Sequence, residues 1–181
     1  VGKVTQGVTT EILGEATTPA PVNDHMMALL EVPDTLPQLI QLHNAFRGPR
    51  GFAAWLEAME RHPNSVNVGS YLGATTVRAY AMGQRQGDAT AAELDTMRAV
   101  VRRAMEDGAF GISSALIYPP GSYASTEELV QVSRAMAPYG GLYVTHMRSE
   151  ADSILPAIDE AIRIGREADV AVEIFHLKPA G

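Results

Sequence analysis

The chain has 181 residues, 46% of them hydrophobic, so it is long enough to bury a sizeable core in one domain or a large part of one. Its formal net charge of -7, with 14 Lys and Arg against 21 Asp and Glu and few aromatic residues, argues against a nucleic-acid-binding surface. Because the sequence has no cysteine, disulfides, thiolate nucleophiles and cysteine-ligated metals are excluded, and only oxygen and nitrogen ligands remain.

The two ends of the sequence are informative about its context. The first residues lack the charged and apolar regions of a signal peptide, and no apolar run approaches the roughly 18 residues of a membrane span. We therefore expect a cytoplasmic protein that does not contact the membrane. The chain begins in what the pattern predicts to be the middle of a βα unit and stops just after a strand, so we expect it to be a segment of a larger domain.

In the first half of the chain, β-rich runs alternate with a helical pattern. Residues 8–13 and 66–72 are predicted strands, and residues 51–62 place apolar side chains at helical spacing between them. Residues 16–50 are rich in Pro and form, on this interpretation, a loop-rich excursion that could carry a lid.

The second half repeats the alternation more clearly. Thr90 is predicted to cap a helix, with Glu93 completing a capping box and Gly108 ending the helix. Ser125 and Glu128 repeat that pattern at the next helix. The remaining predicted elements are strands at 110–117, 142–146 and 170–176 and a helix at 154–170. Strict alternation of this kind predicts an α/β fold with a parallel sheet.

Two successive predicted strands end in histidine. "LYVTH" ends at His146 and "VAVEIFH" ends at His176, with one helix between them. Since the carboxyl ends of parallel strands form the active face of α/β folds, the two imidazoles are expected to lie close enough to share one metal ion. The alternative is that each histidine only forms hydrogen bonds at the end of its strand.

Four stretches together, "GVTTEILGE", "GISSALIYPPGSYASTEEL", "THMRSE" and "HLKPAG", resemble the D-aminoacylase family, the N-acyl-D-amino acid deacylases of the amidohydrolase superfamily. The resemblance runs over essentially the whole chain. It implies a zinc-dependent TIM-type barrel that hydrolyses the amide of N-acylated D-amino acids. Residues 1–181 would then be part of a (β/α) barrel, with parallel strands alternating with helices.

The resemblance implies that His146 and His176 are zinc ligands, and zinc would lower the pKa of bound water and polarise the scissile carbonyl. The family pattern also has a His-x-His pair and a general-base aspartate, which would lie before Val1 and after Gly181. No catalytic residue is therefore assigned in this chain. The family's cysteine ligand falls at Ala16 or its neighbour, where Glu15 either replaces it as a metal ligand or is a solvated loop residue.

Five further residues are candidates for the site. Lys178 resembles the family lysine that engages the substrate carboxylate, the alternative being an exposed lysine. Tyr118 either lines the pocket or packs before the Pro-Pro turn. Arg78 is expected beyond a strand end, where it would meet an anionic group or form a surface salt bridge. Arg148 and Glu150, just after His146, are expected to orient a ligand or to pair with each other.

Three functions compete on these grounds. The first is a zinc-dependent hydrolase of small N-acyl-D-amino acids, and the second is a related amidohydrolase acting on another amide or on a dipeptide. The third is an inactive, truncated barrel segment without catalysis, which the missing ligands and base keep open. The sequence does not decide the acyl group, the preferred side chain or the oligomeric state.

Overall fold

The computed structural model describes residues 2–28, 38–62 and 64–178. Within these ranges the chain alternates parallel strands with helices, as the sequence predicts. The strands are β1 (Thr10–Leu13), β2 (Asn67–Ser70), β3 (Leu72–Gly73), β4 (Gly111–Ala115), β5 (Leu142–His146) and β6 (Ala171–Ile174). The helices are α1 (Asp24–Ala28), α2 (Gln38–Ala45), α3 (Gly51–Arg61), α4 (Ala74–Met82), α5 (Ala91–Glu106), α6 (Thr126–Arg134) and α7 (Ile154–Ala168).

The strands pair in chain order. β1 pairs with β2, and β3, β4, β5 and β6 form a four-stranded sheet, every pairing being parallel. Tyr71 alone separates β2 from β3, and its backbone N–H donates to the carbonyl of Leu13. The N–H of Phe110 in turn donates to the carbonyl of Ser70. These two backbone hydrogen bonds connect the first sheet to the second, and the carboxyl ends of all the strands point the same way.

The helix caps follow the sequence at α5 and partly at α6. Thr90 accepts from the N–H of Glu93 while the Glu93 carboxylate accepts from the N–H of Thr90, so the predicted capping box is confirmed. Ser125 caps α6 in the same way, but the carboxylate of Glu128 turns into the protein to meet Arg78. Only half of the second predicted box is therefore present.

The excursion at residues 16–50 contains α1 and α2 and is closed at its base. Val22 bridges to Arg47, with the N–H of Val22 donating to the carbonyl of Phe46. The proposal that this region carries a lid falls partly on residues 29–37, which lie outside the described residues.

The face of the sheet that packs against the helices is set by alternation along β4 and β5. Ile112 and Tyr143 pair laterally and are buried in the main hydrophobic core. On the same face, the hydroxyl of Ser114 bonds to those of Tyr143 and Thr145, and burial raises the pKa of Tyr143 to about 12. Val144 and His146 alternate with these residues and therefore lie on the opposite face. No helix in the described ranges has both the length and the apolar character that a membrane span requires.

Candidate metal centre

Three strand ends bring Glu15, His146 and His176 together. His146 is the last residue of β5, whereas His176 lies two residues past the end of β6, with φ 33°. Glu15 follows β1 through Gly14, whose φ is 98°. A Cβ at Gly14 would lie 2.3 Å from the carbonyl oxygen of Tyr71, so this tight turn toward the neighbouring strand requires glycine.

The three side chains form a compact cluster. Oε1 of Glu15 lies 3.4 Å from Nδ1 of His146 and 3.4 Å from Nε2 of His176. The imidazole rings have centroids 4.5 Å apart, and the candidate ligand atoms all lie within 4.8 Å of one another. Within the part of the chain that the structure describes, this is the one group of three or more His, Asp or Glu side chains so arranged.

The cluster fits a zinc ion in geometry and in donor chemistry. Zinc bonds to imidazole nitrogen and carboxylate oxygen are about 2.0–2.1 Å long, so ligand atoms at the corners of a tetrahedron lie about 3.3–3.4 Å apart. The two distances of 3.4 Å from Glu15 match that spacing. His146 is 8% exposed while the His176 side chain is 39% exposed, so the cluster is buried at His146 and accessible to solvent at His176.

A second carboxylate approaches the two rings from the side opposite Glu15. Oε1 of Glu150 lies 3.2 Å from Nδ1 of His176 and 3.7 Å from Nε2 of His146. Lys178 binds this carboxylate, with Nζ 2.8 Å from Oε2, and the hydrogen bond lowers the pKa of Glu150. Nε2 of His146 is buried without a hydrogen-bond partner among the described residues. Each imidazole thus has one nitrogen toward Glu15 and the other toward Glu150.

Tyr118 lies at the edge of the cluster. Its ring centroid is 5.8 Å from that of His146, and the residue is 61% exposed, so it borders the site without being buried in it. The loop that carries Tyr118 is held by Arg148, whose guanidinium donates to the carbonyls of Ser122 and Ala124. Arg148 otherwise pairs with Glu160. The expectation that Arg148 pairs with Glu150 or orients a ligand is therefore corrected.

Arg78 is not part of the site. It lies past the end of β3, as expected, but on α4, a helix that the sequence pattern did not predict. The residue is 2% exposed and pairs with Glu128, and it also donates to the carbonyls of Arg85 and Gly87. The expectation of a substrate-binding or surface-paired arginine is replaced by a buried ion pair between α4 and α6.

Ser113 supports the site but was missed in the sequence. Its hydroxyl accepts from the N–H of Ala16, which has φ 61°, and this contact fixes the turn that presents Glu15. The sequence signal that could have identified Ser113 is the pair of polar serines, Ser113 and Ser114, within a predicted strand, which the structure shows to be buried along its whole length.

No protein-family model matches the chain. The chain is 39% identical over 179 residues to a D-aminoacylase of Alcaligenes xylosoxydans xylosoxydans, covering 99% of this chain and 36% of that protein. A D-aminoacylase structure from a study of its binuclear metal center superimposes with a TM-score of 0.79 at 39% identity, covering 95% of this chain and 35% of that one.

An N-acyl-D-glutamate deacylase from Bordetella bronchiseptica, solved with zinc and a phosphonate inhibitor, superimposes with a TM-score of 0.75 at 30% identity, over 94% of this chain and 34% of that one. This chain thus spans about a third of the length of the relatives it matches. The neighbours are amidohydrolase barrel enzymes, so the parallel α/β arrangement is part of a TIM-type barrel, as predicted. Over nearly its whole length, the chain is thus similar to about a third of a D-aminoacylase, whose structure belongs to the amidohydrolases.

Proposed function

We propose that this chain provides zinc ligands of a hydrolase that cleaves N-acyl-D-amino acids into a D-amino acid and a carboxylate. The observation that carries the proposal is the position of Glu15, whose Oε1 is 3.4 Å from a ring nitrogen of both His146 and His176. The names of the relatives support the substrate class, since they are a D-aminoacylase and an N-acyl-D-glutamate deacylase.

The donor set suits the proposed metal and leaves room for reaction. Two imidazoles and one carboxylate are ligands that zinc accepts, and a catalytic zinc site keeps an open position for water or substrate. When bound, zinc would supply Lewis-acid activation of water and of the scissile carbonyl. Glu15, on this proposal, replaces the family's cysteine ligand.

The remaining residues of the site are suited to binding the substrate. Lys178 keeps its side chain 56% exposed beside the cluster, where its ammonium can meet the carboxylate of an N-acyl amino acid. Tyr118 presents an exposed ring next to His146 and would border the bound substrate. Both roles are part of the proposal, and Arg78 has none in it.

Zinc binding by the 181-residue chain is the primary test, because no general base is assigned within the chain. The metal-free protein would be titrated with zinc and its metal content measured by mass spectrometry after gel filtration. Stoichiometric zinc supports the proposal, and zinc only at background level contradicts it.

Substrate specificity is tested in an enzyme that carries this chain. Hydrolysis of N-acetyl-D-methionine, N-acetyl-D-glutamate and their L-enantiomers would be compared after zinc loading. Cleavage of the D-compounds alone supports the proposed class. Equal cleavage of the L-compounds, or cleavage of dipeptides instead, would assign the site to another amide hydrolase.

A further inference from the structure

We infer that Glu150 and Lys178 compete for Nδ1 of His176, and that this competition decides which ring nitrogen of His176 carries the proton. The inference deepens the proposed function, since it concerns the readiness of the same site for a metal. Glu150 acts here as a positioning residue, through the two histidines.

The competition follows from what surrounds Nδ1 of His176. Oε1 of Glu150 lies 3.2 Å away and Nζ of Lys178 lies 3.1 Å away. An ionised carboxylate can only accept a hydrogen bond and an ammonium can only donate one. A ring nitrogen of neutral imidazole either carries a proton or presents a lone pair, so it can satisfy only one of these neighbours at a time.

The choice at Nδ1 fixes the state of Nε2, which lies 3.4 Å from Oε1 of Glu15. When Nδ1–H of His176 donates to Glu150, Nε2 presents its lone pair toward Glu15, as metal coordination requires. When Lys178 donates to Nδ1, the proton lies on Nε2 and faces Glu15, so this nitrogen cannot bind a metal. Glu150 therefore favours the metal-ready tautomer, and Lys178 favours the metal-blocked one.

His146 provides a second, independent observation. Its Nε2 is buried and has no hydrogen-bond partner among the described residues, and Oε1 of Glu150 lies 3.7 Å from it. A proton on Nε2 would point toward that carboxylate and leave the Nδ1 lone pair toward Glu15. Glu150 thus lies where one carboxylate can favour the metal-ready tautomer of both rings, as carboxylates beside metal-binding histidines do.

Ring nitrogen NMR on the metal-free protein tests the competition directly. Long-range ¹H–¹⁵N correlation spectra at pH 8 show which ring nitrogen is protonated, and His176→Gln identifies the signals of His176 by their loss. Glu150→Met should shift the proton of His176 toward Nε2, and Lys178→Met should shift it toward Nδ1. Glu150→Gln keeps an acceptor oxygen and should stay closer to the wild type than Glu150→Met does.

The matched control is Asp152→Asn, which removes an exposed negative charge two residues from Glu150. It should leave both tautomers of His176 as they are. If Glu150→Met and Lys178→Met shift the proton in the same direction, or if neither shifts it, the inference is overturned. Circular dichroism verifies folding, and Lys178→Met, at a half-exposed side chain, decides the question even where Glu150→Met does not fold.

Zinc affinity is a second readout that separates this inference from the proposed function. Glu150→Met should weaken zinc binding by about 10–100-fold in competition with a chelator, as loss of a carboxylate behind a ligating histidine does. A wild-type chain that binds no zinc defeats the proposed function, while the metal-free spectra still test the tautomer. If the chain binds zinc but neither Glu150→Met nor Lys178→Met changes the tautomer of His176, only the inference is overturned.

Discussion

Oε1 of Glu15 lies 3.4 Å from Nε2 of His176, although 161 positions separate the two residues in the chain. They follow the first and last strands of a row with five places, because β2 and β3 are separated only by Tyr71 and share one place, while the other strands pair with their neighbours in chain order. Neighbouring strands lie about 4.8 Å apart, so in a flat row these two strands would be roughly 19 Å apart. Contact between their end residues therefore requires a strongly curved row, as in part of a barrel.

The first prediction concerns the two histidines. Replacing His146 or His176 with alanine should each abolish retention of zinc, because two remaining ligands rarely hold zinc against water and buffer. Metal content after gel filtration is the measurement. His62→Ala is the control, since His62 is an exposed residue just after the end of α3 and is not one of the three cluster residues, and it should retain zinc like the wild type. Stoichiometric zinc in both cluster variants would refute the assignment.

Glu15 gives the second prediction, because the sequence left its role open. Glu15→Ala should greatly reduce zinc retention, since it removes the carboxylate whose Oε1 lies 3.4 Å from Nδ1 of His146 and from Nε2 of His176. Glu11→Ala, on the preceding strand, removes a carboxylate that pairs with Lys3 and should retain zinc. Equal zinc content in the two variants would show that Glu15 is only a loop residue.

The sequence predicted the fold class well because its signals are local. Alternating β-rich and helical patterns, and the Thr90 and Ser125 caps, depend on neighbouring residues, and the structure has the corresponding strands and helices. It missed α4 because Gly73 gives no side-chain cap and the helix begins with β-branched residues such as Thr75 and Thr76, which favour strands.

The site could be predicted only in part, for a related reason. His146 and His176 are found by their places at strand ends, but the position of Glu15 depends on the left-handed turn at Gly14 and Ala16 and on the curvature of the strand row. The partner of Glu150 was not predictable either, because Lys178 reaches it from the loop after another strand. Such contacts join residues whose separation is set by the fold and not by the local pattern.

The buried pair between Arg78 and Glu128 gives a prediction about stability. The two side chains are 2% and 6% exposed, so Glu128→Gln leaves the Arg78 charge buried without its counter-charge. We expect the free energy of unfolding to fall by about 3–5 kcal/mol in urea denaturation. Glu127→Gln, its exposed neighbour on α6, should cost no more than about 1 kcal/mol. Similar losses in both variants would show that the buried pair has no special role.

The last prediction concerns the pH dependence of the α5 cap. Hydrogen bonds from the Thr90 backbone and then from Arg85 lower the pKa of Glu93 from its ordinary value near 4.5 to about 2. A depressed pKa in the folded state means that the ionised carboxylate stabilises the protein above pH 4.5 and that this contribution is lost as the pH falls toward 2.

Glu93→Gln should therefore be less stable than the wild type at pH 7, by no more than about 1 kcal/mol because the side chain is partly exposed. The difference should shrink between pH 4.5 and 2, as measured by urea unfolding across this range. A stability difference for Glu93→Gln that stays constant from pH 7 to 2 would mean that the charge of the capping carboxylate does not stabilise the helix.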